Sequence, residues 1–224
     1  MSKLYFVKFK IISGIILLIA LVSSYSVSSQ TFTDSNLPIV VITTDLDSNN
    51  QPLPILDDPK ILASMKVIKH PDGSRNYRSD VNTTAFLNYN GRISIEIRGS
   101  SSQSLPKKGY GLTTLKADNV SNNNVSLLGM PSENDWVLNG LAFDPSLIRD
   151  YLSYNLSRQM GDYATRTVYC ELVINGEYKG LYLLQEKIKA GTGRVNVLKI
   201  AATDIATSNV TGGYITKSDK TTGN

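Results

Sequence analysis

The chain has 224 residues, 41% of them hydrophobic and 19% charged, which is enough apolar material for a packed core and too little charge for wholesale disorder. The formal charge of +4 falls to +1 once Lys3, Lys8 and Lys10 are set aside with the N-terminal segment, because no acidic residue precedes Asp34. A nearly neutral remainder gives no support for nucleic-acid binding; one cysteine excludes an internal disulfide, and one histidine leaves a His-based metal site or a Ser-His-Asp triad almost nothing to be built from.

Residues 1–29 carry the signature of a signal peptide. A basic start is followed by an apolar run from Ile11 to Val22, then by small residues ending in Val27-Ser28-Ser29. The apolar run is shorter than the ~20 residues a spanning helix needs, so cleavage is expected rather than anchoring. The mature protein is then secreted or extracytoplasmic, touching membrane only through that peptide.

Residues 30–90 read as a small β region. Residues 38–44 are a β-branched strand, 45–58 a loop rich in Asp, Asn and Pro, and 60–70 a second strand. Pro71-Asp72-Gly73-Ser74 is a turn, and 82–89 another short strand. From Gly91 the alternation becomes strict, with Ile93, Ile95 and Ile97 on one face of a half-buried strand. A loop of small residues follows, ending in Lys107 and Lys108 before strand resumes at Tyr110. Trp136, the only tryptophan, is expected as a core anchor.

Asp144-Pro145-Ser146 reads as a helix start, with Asp at the N-cap and Pro in the first position. Leu147, Ile148, Tyr151, Leu152, Asn155, Leu156 and Met160 form its expected buried stripe, and Gly161 its stop. Asn175-Gly176 between two alternating runs is a hairpin signal, because both turn residues take positive φ. Cys170 lies mid-strand among apolar neighbours and is read as a core residue rather than a nucleophile. A further strand is expected at residues 212–217. The expected fold class is α+β: an antiparallel sheet with one main packed helix, like a protein-kinase N-lobe, preceded by the small β region.

That order of strand, lysine-bearing loop, strand, helix, hairpin and polar connector is also the order in which a kinase N-lobe surrounds nucleotide phosphates. Several segments resemble the CotH family. Ile97-Arg98-Gly99-Ser100-Ser101-Ser102-Gln103-Ser104-Leu105-Pro106-Lys107-Lys108-Gly109-Tyr110 is similar to its Arg-Gly…Ser…Pro-Lys-Lys-x-Tyr signature. Ser146–Leu152 with Ser157–Gly161 is similar to its helix. Asn175–Tyr182 with Glu186-Lys187-Ile188 is similar to its hairpin and connector, and Arg194-Val195-Asn196 and Gly212–Ile215 follow in order. The likeness covers roughly residues 91–217.

The resemblance implies a kinase-like domain over 91–224 that uses ATP and a divalent metal, Mg or Mn, to phosphorylate surface or coat proteins. Two departures accompany it. Gly111 and Thr113 stand where the family often carries a basic pair, and the family's metal-binding and catalytic aspartates lie beyond the segment matched here. The stretch up to Asn224 is thus expected to resemble the N-terminal portion, inactive by itself, with no catalytic or metal-binding residue assigned. Arg98, Ser100, Ser101, Lys107 and Lys108 are candidates for phosphate contact, against a solvated polar turn. Arg149 is a candidate for pairing with a cleft carboxylate, against a surface arginine. Glu186 and Lys187 mark a candidate nucleotide hinge. A non-catalytic surface or adhesion module on the same scaffold is the other function class these features fit.

Overall fold

The computed structural model describes residues 31–197 and 200–211. The chain divides into two units, residues 1–32 and 33–224, and every element below lies in the second. The expected signal peptide and the expected strand at 212–217 lie outside the described residues.

Nine strands and one principal helix follow in order. They are β1 (Asp34–Ser35), β2 (Ile39–Thr44), β3 (Ile61–Ile68), β4 (Asn76–Tyr77), β5 (Leu87–Arg98), β6 (Gly109–Leu115), β7 (Asp135–Asn139), helix α1 (Arg149–Gln159), β8 (Thr167–Ile174) and β9 (Glu177–Glu186). β1 and β4 form a two-stranded ribbon, and the other seven strands close into a barrel in the order β2-β3-β5-β6-β7-β9-β8. Neighbours are antiparallel except at the seam, where β2 and β8 run parallel from Ile39↔Glu171 to Ile42↔Ile174. Strands from both sides of residue 90 therefore share one barrel.

Alternation fills the interior. Ile42, Met65, Ile93, Ile95, Leu112, Trp136, Leu138, Cys170, Leu172, Tyr182 and Leu184 point inward and are buried. Each large apolar side chain contributes about 1.5–3 kcal/mol on burial. Cys170 is sealed among them, and burial pushes its thiol up to about 12. The hairpin forms as expected, with φ 49° at Asn175 and 83° at Gly176. The short strand expected at 82–89 is instead two 3₁₀ turns, Arg78–Asn82 and Thr84–Phe86, after which β5 runs unbroken from Leu87.

The expected fold class is corrected by this architecture. The sheet has no open face for a kinase-type helix, because β2 closes on β8, and the molecule is a mostly β closed barrel. Helix α1 is not its packed partner: none of its residues is buried. The apolar stripe is real but faces solvent, with Leu152 59% and Met160 72% exposed, while Tyr154, Asn155, Ser157 and Arg158 are the half-buried side. The polar side is held by hydrogen bonds: Asn139 Nδ2 to Asp150 Oδ2 at 2.8 Å, and Arg158 Nη1 to Thr165 O at 2.6 Å. The helix also begins later than expected. Leu147 takes φ +61°, and Asp144 caps over a longer reach, accepting from Ser146 N at 3.0 Å and Arg149 N at 2.9 Å.

A fragment beginning at Gly91 lacks β2 and β3 and leaves β5 and β8 as bare edges. It is expected to lose the cooperative unfolding transition seen for a chain starting at residue 31, as followed by circular dichroism in urea; a cooperative transition in the fragment would contradict the single barrel.

Candidate functional site

The loop between β5 and β6 is built by its own hydrogen bonds. Gly99 takes φ +109°, and a side chain there would run into Ser102 Oγ. Ser101–Ser104 then makes a 3₁₀ turn, closed by Gln103 N to Ser100 O at 3.1 Å and Leu105 N to Ser102 O at 3.2 Å.

Both lysines brace this loop. Lys108 Nζ donates to Gln103 O, and Lys107 Nζ donates to Leu181 O on β9 while lying 4.8 Å from the centre of the Tyr182 ring. Tyr182 in turn donates to Lys108 O at 2.9 Å. Burial lowers the Lys107 pKa below the usual lysine range, with the Glu171 charge working the other way. Lysine is the residue type for phosphate contact, but here both ammonium groups already serve backbone carbonyls.

Arg98 has a different environment. It ends β5 exposed, and among the described residues its side chain makes no hydrogen bond or ion pair, although its charge acts on Tyr154. It lines a cleft of about 220 Å³ with Ser102, Lys107, Gly109, Asn139 and Gly140, and also a hollow of about 30 Å³ with Lys60, Glu96, Gly111 and Lys187. Arg98 and Val137 border both, so the two hollows adjoin in a groove along the outer face of β6 and β7. Gly109, Gly111 and Gly140 line it; backbone crowding demands glycine at Gly140, whereas Gly111 meets the flexible Glu96 side chain and Gly109 has ordinary contacts. A Cβ on Gly111 would sit 2.8 Å from Glu96 Oε1, and one on Gly140 2.9 Å from Lys108 O. Gly109 and Gly111 share this face because strand residues two apart point the same way.

The other expected residues separate. Ser100 and Ser101 sit on the same loop but line neither hollow, where Ser102 stands instead. Arg149 is 74% exposed, 3.6 Å from Asp144, and outside the groove. Lys187 reaches the groove. Glu186 is buried within the barrel's end, 2.6 Å from Arg194 Nη1 and 3.0 Å from Arg166 Nη1, and Arg194 stacks 4.9 Å from the Trp136 ring. Such a carboxylate is an anchor: removing one partner of a buried pair typically costs about 3–5 kcal/mol. The backbone N–H groups of Glu186 and Lys187 are also engaged, with Arg166 O at 3.2 Å and Asp135 O at 3.4 Å.

Sequence reasoning passed over Asn139, Gly140, Glu96, Lys60 and the Gly109/Gly111 pair. Gly-Tyr-Gly at the start of a strand was the available signal, since two glycines on one face leave a trough. A further charged cluster involves the start of β7. Lys189 Nζ bridges Asp135 Oδ2 at 2.9 Å and Glu133 Oε1 at 3.0 Å. Burial acts to raise the Asp135 carboxyl, but the Lys189 hydrogen bond and charge outweigh it and hold the group below the usual range. Among the described residues no three of His, Cys, Asp or Glu come together to hold a metal ion.

Replacing Lys107 by Met removes the bond to Leu181 O and is expected to lower stability by about 1 kcal/mol. Arg98→Ala should change it by less than about 0.5 kcal/mol. Urea midpoints of the two variants measure the contrast, and equal losses would contradict the division into brace and free cation.

Residues 95–222 match the family described as CotH kinase protein. A search of curated proteins found no match. The match takes in β6 to β9, the end of β5, the braced loop and the groove residues other than Lys60, and it covers more than half of the chain. The chain belongs to the CotH family.

Proposed function

We propose that this is an exported phosphotransferase of the CotH type, whose groove takes the phosphates of ATP for transfer to a surface or coat protein. The observation that carries the reading is Arg98, whose guanidinium has no hydrogen-bonded or ionic partner among the described residues and which lines a cleft with Gly109, Asn139 and Gly140. A guanidinium offers planar, paired donors that suit phosphate oxygens, and Lys187 adds a second positive charge along the same trough. Lys107 and Lys108 contribute by holding the loop in place.

The expected divalent metal does not fit the described residues, which bring no cluster of ligands together, and no step is assigned to it. These residues bind and orient; phosphoryl transfer draws nothing further from them. The second function class, a surface module without catalysis, is favoured by one observation: both loop lysines are committed to backbone carbonyls.

Calorimetry with ATP and magnesium separates these readings. Wild-type protein is expected to bind. Arg98→Ala and Lys187→Ala are each expected to weaken binding about tenfold or more, as loss of a hydrogen bond to a charged group does. Absence of binding, or indifference to Arg98→Ala, would refute the nucleotide reading. Binding without phosphate transfer to any added protein would favour the module.

Export is supported by the basic start, the apolar run from Ile11 to Val22 and the small residues before Gln30. N-terminal sequencing of protein recovered from a secreting host should begin at or near Gln30; an intact Met1 in that fraction would count against cleavage.

A further inference from the structure

A second cleft, of about 580 Å³, lies at the other mouth of the barrel, between the ends of β3 and β8 and the start of helix α1. It is larger than the basic groove and shares no lining residue with it. Its apolar walls are Pro38, Pro71, Leu128 and the rings of Tyr151 and Tyr169, whose centres are 5.1 Å apart. Tyr169 is fixed in place by its hydroxyl, which donates to Leu147 O.

Several side-chain donors are left at this cleft. Asn36 Oδ1 accepts from Arg75 Nη1 at 2.8 Å, and Asn88 Oδ1 accepts from Leu128 N at 2.8 Å, so each oxygen has one partner and each NH₂ is left for a ligand. Both ring nitrogens of His70 are engaged, with Ser74 Oγ at 2.9 Å and Asp80 Oδ2 at 2.8 Å. The Lys69 ammonium has no partner among the described residues. Of the acidic groups near the rim, Asp34 pairs with Arg75 and Asp80 with His70, while Asp72 accepts from Ser74 N at 3.0 Å and has no cationic partner among the described residues. Hydroxyls of Thr167 and Tyr151 can serve either way. An ammonium and two amide NH₂ groups beside proline and tyrosine walls select a ligand rich in acceptors and carrying an apolar side chain.

We propose that this cleft binds an acidic peptide segment, with a carboxylate at Lys69 and the two asparagines and a neighbouring aliphatic or aromatic side chain against Tyr151 and Tyr169. Extended backbone suits such a trough, as in other aromatic-lined peptide grooves. The inference is independent of the nucleotide reading.

The test is isothermal titration of the whole chain with a short C-terminally amidated peptide alternating glutamate and leucine, beside its glutamine and lysine counterparts. The glutamate peptide is expected to bind at least about tenfold more tightly than either counterpart, a difference of about 1.4 kcal/mol. Lys69→Glu should abolish that preference, and Tyr151→Ala should weaken binding of the glutamate peptide several-fold, with circular dichroism unchanged in both. Arg98→Ala should leave peptide binding as it is, so failure of the nucleotide reading would not touch this one. A glutamine peptide with a free C-terminal carboxylate that binds as tightly as the glutamate peptide would support the same chemistry, with a chain end as the source. Equal binding of the three amidated peptides, no binding, or a folded Lys69→Glu variant that binds like wild type would overturn the proposal.

Discussion

The parallel pairing of β2 with β8 is the constraint on which the rest of the structure depends. Only four residue pairs make the seam, from Ile39↔Glu171 to Ile42↔Ile174, yet they remove both free edges of a seven-stranded sheet. Side chains latch the seam at each end. Asn175 Oδ1 accepts from Thr44 N at 2.9 Å while its Nδ2 donates to Thr44 Oγ1 at 3.0 Å, and at the other end Ser35 Oγ donates to Glu171 Oε1 at 3.0 Å. Asn175 thus serves both the hairpin turn and barrel closure.

Closure decides where function can lie. An interior filled by Trp136, Tyr182 and aliphatic side chains leaves no room for a ligand, so any site must be on the outer wall or at the mouths. On the outer wall the Glu96 side chain lies over Gly111, while Gly109 on β6 and Gly140 after β7 line the cleft beside Arg98. The loop beside it is held by donors that the chain itself supplies, Lys107 and Lys108, which leaves Arg98 and Lys187 as the cations facing solvent there. At the far mouth the buried Glu186, shared by Arg166 and Arg194, fixes the end of β9. Residues that looked alike as a run of charges are therefore divided between those that brace the fold and those left to solvent.

Local structure was legible where a short-range rule applied. Asn175-Gly176 specified its turn, the alternation of Ile93, Ile95 and Ile97 specified β5, and Trp136 and Cys170 were recognisable as core. The motif series from Arg98 onward was enough to identify the family. The barrel was not legible, because the pairing of residues 39–42 with 171–174 joins segments about 130 positions apart and leaves no mark in either segment's periodicity. Helix α1 misled for a related reason. Its i, i+4 stripe at Ile148, Leu152, Leu156 and Met160 is a true amphipathic pattern, but a pattern does not state which face is turned to the core. Of the candidate site residues, Arg98 lines both adjoining hollows, Lys107 the larger and Lys187 the smaller. Glu186 and Arg149 line neither, since one is consumed by buried ion pairs and the other sits on an outward helix.

The sealed position of Cys170 gives this protein a built-in gauge. A thiol with no exposed surface and a pKa pushed to about 12 cannot be alkylated while the barrel stays shut. Every molecule of iodoacetamide captured therefore records one opening event. Because Cys170 lies on β8, the strand that completes the seam, the capture rate reports the open population when reclosing outpaces alkylation, and the opening rate when it does not.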